Sequence, residues 1–218
     1  MQRLLLEMDR HTDASEHVFL ATLTVSNHLP FTFPDGRVDY ASGTHTHAMA
    51  YADRALGRFM RQARTRSWFD DTLFVIVSDH GYSKLGHARV PVDPLRVPIL
   101  FYAPAYLEAK RVGALISSFE VAKMITCAFG LPECNEFGGR DILALADGEH
   151  GLAPIEFESK LALASETGVT ILLRDQSIET WRRDATGTLR LSTPDFEQGR
   201  NASAVFRTAM QDFYGELR

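Results

Sequence analysis

The chain has 218 residues, 45% of them hydrophobic and 23% charged, with a formal net charge of -5. That is enough for one core of α/β size, or a core with a small appendage. The mildly acidic balance, without any Lys/Arg block, excludes an electrostatic footprint for nucleic acid. No apolar run reaches the ~18 residues needed to span a bilayer, and Met1-Gln2-Arg3-Leu4-Leu5-Leu6-Glu7 meets charge too early for an export signal.

From the start to about Glu16, Leu4, Leu5 and Met8 are spaced for a short amphipathic helix that feeds a strand at Val18 to Val25. That strand ends at Ser26-Asn27-His28, and a loop with Pro30, Pro34 and Gly36 follows. A helix is predicted from Thr46 to about Arg66. Ala48, Tyr51, Ala55, Phe59 and Ala63 share one face, and Arg54, Arg58, Arg61 and Arg64 form a solvated one. Trp68-Phe69-Asp70-Asp71 turns into a strand at Thr72 to Ser78, a helix-then-strand unit of the parallel-sheet kind. Val97 to Tyr102 reads as another strand, and Ser118 to Phe129 as a helix stopped by Gly130 and Pro132.

From Ile155 onward the pattern changes to short, closely spaced β segments. These are Ile155 to Glu158, Val169 to Arg174, Ile178 to Arg182 and Leu189 to Leu191, with Asp184-Ala185-Thr186-Gly187 as a hairpin turn. Ala202, Phe206, Met210, Phe213 and Leu217 recur at helical intervals in a last element. The fold class is therefore α/β: a mostly parallel central sheet with flanking helices over residues 1–150, then a small antiparallel sheet with a closing helix over 151–218. Cys127 and Cys134, the only thiols, read as two reduced cysteines, one in an apolar helix and one beside Pro132.

The most informative stretch is Phe74-Val75-Ile76-Val77-Ser78-Asp79-His80-Gly81, an apolar run that stops on a carboxylate, an imidazole and a glycine. It reads as a buried parallel strand carrying two metal ligands to the C-terminal edge of a sheet, where open α/β folds place their chemistry. A carboxylate beside an imidazole suits Zn or Mn, and Gly81 lets the chain turn away sharply. His28 is a second histidine just past an apolar strand. Asp53, inside a helix, reads as an anchor, and His45 and His47 as capping or exposed residues.

Five landmarks then stand in one order: Thr24-Val25-Ser26-Asn27-His28-Leu29-Pro30-Phe31; Tyr51-Ala52-Asp53-Arg54-Ala55-Leu56-Gly57; Trp68-Phe69-Asp70-Asp71-Thr72-Leu73 running into Ser78-Asp79-His80-Gly81; Arg96-Val97-Pro98-Ile99-Leu100 through Ala103-Pro104; and Phe137-Gly138-Gly139-Arg140-Asp141-Ile142-Leu143. Together they resemble the sulfatase branch of the alkaline phosphatase superfamily, in particular the lipoteichoic acid synthase and phosphoglycerol transferase group. The likeness covers residues 1 to 150 well and the rest in outline.

The resemblance implies that Asp79 and His80 ligate a single divalent metal, Mn or Zn, with Mg or Ca as alternatives. It also implies that His28 reaches the phosphate or leaving group of the substrate, and that His87 sits where sulfatases place a further basic residue. The implied substrate is a phospholipid head group or another anionic ester. The implied location is the outer face of the bacterial inner membrane or the periplasm.

An acidic ligand and a Thr or Ser nucleophile precede these landmarks in the complete enzymes, and neither has a counterpart here. The expectation is thus the C-terminal part of a phosphoryl transferase, inactive alone, with the missing N-terminal half or a second copy of the chain as partner. A sulfate or phosphate ester hydrolase, and a non-catalytic module binding a phosphoglycan or a partner, remain as alternatives.

Overall fold

A computed structural model describes residues 1–11, 17–34, 38–39, 41–81, 90–118, 120–137, 140–141, 151–158, 160–201 and 203–204. The chain divides into two compact units, Met1–Val75 with Phe101–Glu108, and Ile76–Leu100 with Ala109–Arg218. The elements are α1 (Gln2–Arg10), α2 (His45–Ala63), β1 (Phe74–Val77), α3 (Val92–Leu95), β2 (Ile99–Tyr102), α4 (Glu120–Ala128) and a 3-10 turn at Pro132–Asn135. The strands β3 (Ala153–Phe157), β4 (Lys160–Ser165), β5 (Gly168–Leu172), β6 (Ile178–Arg183) and β7 (Leu189–Ser192) follow.

In the first unit α1 and α2 bury the predicted stripes. Leu5, Phe59 and Ala63 join Trp68, Phe69 and Phe74 in one cluster, with Leu4, Met8 and Tyr102 packed against it. Trp68 satisfies its indole N–H by donating to Asp9 Oδ1 at 2.9 Å, as a mostly buried indole must. Arg54, Arg58, Arg61 and Arg64 are exposed, as the helical periodicity implies.

The second unit is dominated by the five-stranded sheet, a meander in which each strand pairs antiparallel with the next, β3-β4-β5-β6-β7. Ala153, Ala162, Ala164, Val169 and Ile171 on one face meet Val90 and Val92 in a common core. On the other face Thr170 stands opposite Thr180, their hydroxyls 3.3 Å apart. Thr170 also donates to Gln198 Oε1 at 2.7 Å, from a helix that begins at 196. The closing helix expected over Ala202 to Leu217 otherwise lies outside the described residues.

Three expectations are corrected. The α/β class stands, but the sheet that dominates the described residues is antiparallel, and the expected mostly parallel sheet is represented by β1 and β2 as a two-stranded sheet. Val18 to Val25 is no strand: its apolar side chains are exposed, Phe19 by 76% and Leu23 by 74%. β-propensity supplies no strand without a neighbour to take up the N–H and C=O groups, and among the described residues none pairs there. β1 is also less buried than its run of Phe, Val and Ile suggests. Phe74 is buried, whereas Val77 is exposed.

The third correction is the pair of cysteines, which form a disulfide, Cys127–Cys134. Gly130, at φ +63, ends α4 with two hydrogen bonds, Leu131 N–H to Thr126 O at 3.0 Å and Gly130 N–H to Cys127 O at 2.9 Å. This paired pattern reverses the chain at a helix C-terminus. It brings Cys134 back beside the last turn, with its Cα 4.8 Å from that of Cys127.

Candidate metal and ester site

Asp79 and His80 follow β1 in the chain, separated from its last residue, Val77, by Ser78. His80 Nε2 lies 3.7 Å from Asp79 Oδ2, and both side chains are mostly exposed. That separation is too long for a hydrogen bond. It suits two donors to one ion, since Zn–N and Zn–O bonds of about 2.1 Å span it at an open angle.

The opposite ring atom of His80, Nδ1, is 2.8 Å from Gly81 O. A carbonyl only accepts, so Nδ1 is the donor in this contact, and Nε2 is the ring nitrogen that faces Asp79. Metal-bound histidines are commonly oriented by such a second hydrogen bond. Ser78 Oγ donates to His80 O at 2.7 Å, tightening the same turn.

Gly81 matters for a different reason from the one its sequence position suggests. It does not adopt positive φ. Instead, a Cβ there would fall 2.0 Å from Pro94 O and 2.6 Å from Leu95 Cα, so the backbone of α3 occupies the space a side chain needs. α3 is fixed in turn by Val92 and Leu95, which pack into the sheet core. Asp93 is held by Arg183 of β6: Nη1 donates to Oδ2 at 3.2 Å, and Nη2 donates to Oδ1. Sequence reasoning missed this pairing because the partners are 90 residues apart and no local pattern marks either.

His28 belongs to the first unit, where it is exposed. Its Nδ1 donates to Leu29 O at 2.9 Å. The turn around it is closed by His28 N–H to Val25 O and Phe31 N–H to His28 O, at 3.1 and 2.7 Å. It is tied toward α2 by Phe31, 5.3 Å from the His45 ring, and by Phe33 stacked on Tyr51 at 4.7 Å. The cap of α2 is Thr44, whose Oγ1 accepts from the His47 backbone N–H at 3.3 Å, while the His47 ring Nδ1 lies 2.8 Å from Ala41 O. Asp53 lies exposed on α2. His87 lies outside the described residues.

Among the described residues no group of three or more His, Cys, Asp or Glu is placed to hold a metal. Asp79 and His80 are two donors of types that divalent ions accept, and two fall short of the three protein ligands usual in catalytic zinc sites. The landmark arginine Arg140 has a separate role: its Nε and backbone N–H donate to the buried Glu120 carboxylate at 3.2 and 3.1 Å, and Ser117 N–H also donates to that carboxylate, at 2.9 Å. It anchors the start of α4.

The sulfatase family model matches residues 1–131, and the chain belongs to the sulfatase family. Its fold is also similar to the crystal structure of a protein in the alkaline phosphatase superfamily from Vibrio parahaemolyticus, with a TM-score of 0.73 at 22% sequence identity. That match covers 88% of this chain and 48% of the other, so the chain spans about half the length of that solved protein. The family and superfamily comprise enzymes of phosphate and sulfate ester chemistry that generally use divalent metals. Among the described residues no helix is long and apolar enough to cross a membrane.

Proposed function

We propose that this chain supplies the Asp79–His80 part of a one-metal ester site, in an enzyme of phosphoglycerol transferase type acting on a phospholipid head group. The observation that carries the reading is the fixed Nδ1–H···O=C contact of His80 beside Asp79, within a stretch that matches the sulfatase family. Carboxylate with imidazole favours Mn or Zn over Mg or Ca. A divalent ion there would polarise the phosphoryl oxygen.

Asp79 and His80 hold and orient that centre. His28, with Nδ1 donating to Leu29 O, presents Nε2 outward; in its imidazolium form it hands a proton to the departing alcohol, a role worth roughly 10²- to 10⁴-fold in rate. His87 is assigned a contact to the anionic head group on the resemblance alone. The Thr or Ser nucleophile and a further acidic ligand come from polypeptide beyond these 218 residues, in the same or a separate chain. Two features support such a partner: the match to only 48% of the solved relative, and the exposed apolar stretch Val18 to Val25. The disulfide favours an oxidising compartment outside the cytoplasm, in keeping with a lipid donor.

The test is turnover of a fluorescent phosphoglycerol lipid by the 218-residue chain in Mn buffer. The chain alone is inactive, and a polypeptide carrying the nucleophile and first acidic ligand restores transfer that Asp79→Ala abolishes. Robust turnover by the chain alone, lost in Asp79→Ala, would show a nucleophile within it and overturn the reading. Restored hydrolysis of aryl sulfates with no action on the lipid would move the assignment to an ester hydrolase.

A further inference from the structure

We infer that Arg183, on β6 of the antiparallel sheet, is a positioning residue for the Asp79–His80 pair, acting through Asp93 and α3. This deepens the metal-site reading above and rests on it for the metal arm of the test only.

The path is short: one hydrogen bond, one close backbone approach and one ion pair. His80 is oriented by the carbonyl of Gly81. The Gly81 backbone lies so close to Pro94 and Leu95 that no Cβ fits between them. The turn holding Pro94 carries Asp93, both of whose carboxylate oxygens accept from the Arg183 guanidinium. Arg183 is itself fixed by donating to Gly187 O at 2.8 Å in the β6–β7 hairpin. Its side chain is only 20% exposed, against 56% for Asp93, so the guanidinium is held by the sheet and pins the carboxylate of the more open turn.

A two-pronged Arg–carboxylate contact fixes direction as well as distance. Val90, Pro91, Val92 and Leu95 seat the inner side of this four-residue turn in the core, and the ion pair sets the direction of its outer side at Asp93. Displacing α3 removes the backbone wall behind Gly81, and with it the carbonyl that selects the His80 tautomer. The sheet thus bears on the site through one ion pair, although no residue of the sheet is a candidate ligand.

The test uses the full 218-residue chain with Arg183→Ala, Arg183→Lys and Asp93→Asn. Nitrogen-15 NMR of the His80 ring reads the tautomer directly, without metal. Mn titration reads affinity, where loss of an outer-shell partner is usually worth about 10- to 100-fold. The wild-type ring is expected to be protonated at Nδ1. Arg183→Ala and Asp93→Asn should both shift it toward the Nε2–H form and weaken Mn binding about 10-fold, with Arg183→Lys between them and wild type.

A role in stability alone would lower the melting temperature and leave the tautomer unmoved. An unchanged tautomer in both Arg183→Ala and Asp93→Asn, with the cross-peaks of β3 to β6 in place, overturns the inference. A fixed Nδ1–H tautomer that responds to Arg183 in a chain without Mn affinity supports the inference and sinks the metal reading instead.

Discussion

His80 Nε2 and Asp79 Oδ2 face one another across 3.7 Å, while His80 Nδ1 is committed to the carbonyl of Gly81. If both atoms bind one ion, removing either removes the same site. Asp79→Ala and His80→Ala should therefore each weaken Mn or Zn binding, and the double variant should be no weaker than the worse single. Additive losses by calorimetry would mean two independent sites, because contacting groups in one unit are non-additive.

Gly81→Ala should destabilise the second unit. The added methyl meets main chain at 2.0 Å, and backbone has less room to yield than a flexible side-chain end. Overpacking of this kind costs about 1–3 kcal/mol. A denaturant midpoint equal to wild type would show that the α3 turn moves aside freely.

The hairpin between β6 and β7 carries one acid-dependent contribution to stability. The Asp184 carboxylate accepts from the Thr186 hydroxyl, Arg190 and the backbone N–H groups of Thr186 and Thr188. These contacts, the Thr186 hydroxyl first and Arg190 second, hold its pKa at about 2 against an ordinary 3.8. The folded pKa is depressed, so the stabilisation is present above about pH 4 and is lost as pH falls toward 2. Asp184→Asn should remove that part of the acid dependence, read as a smaller drop in melting temperature between pH 4 and pH 2.

Reduction of Cys127–Cys134 should lower stability, because it releases a closure with a sequence separation of only 7. A loop this short constrains the unfolded chain by about 2 kcal/mol. Cys127→Ser with Cys134→Ser should reproduce the effect of reductant. Equal denaturant midpoints for oxidised and reduced chains would contradict the role.

The parts legible in the sequence were those with local signals. The stripe Ala48, Phe59 and Ala63 marked α2, Gly130 with Pro132 marked the end of α4, and Asp184 to Gly187 marked the last hairpin. β4 was missed because Ala162 and Ala164 have low strand propensity, and because it is covered on both faces, with Ala162 and Leu163 each at 2% exposure or less, so no alternation marks it. The disulfide was missed because only the reversal at Gly130 brings the two sulfurs together. Asp79 and His80 were singled out from an apolar run ending on donor residues. Their support at Pro94, Asp93 and Arg183 was not, since contacts between distant segments leave no periodicity.

The most direct test of the central claim is the broadening of histidine ring signals by substoichiometric Mn in the 218-residue chain. The His80 ring should broaden first and Asp79→Ala should abolish the selectivity. Broadening spread evenly over the exposed histidines, such as His11, His17, His28 and His45, and unchanged in Asp79→Ala, would contradict a metal site at Asp79 and His80.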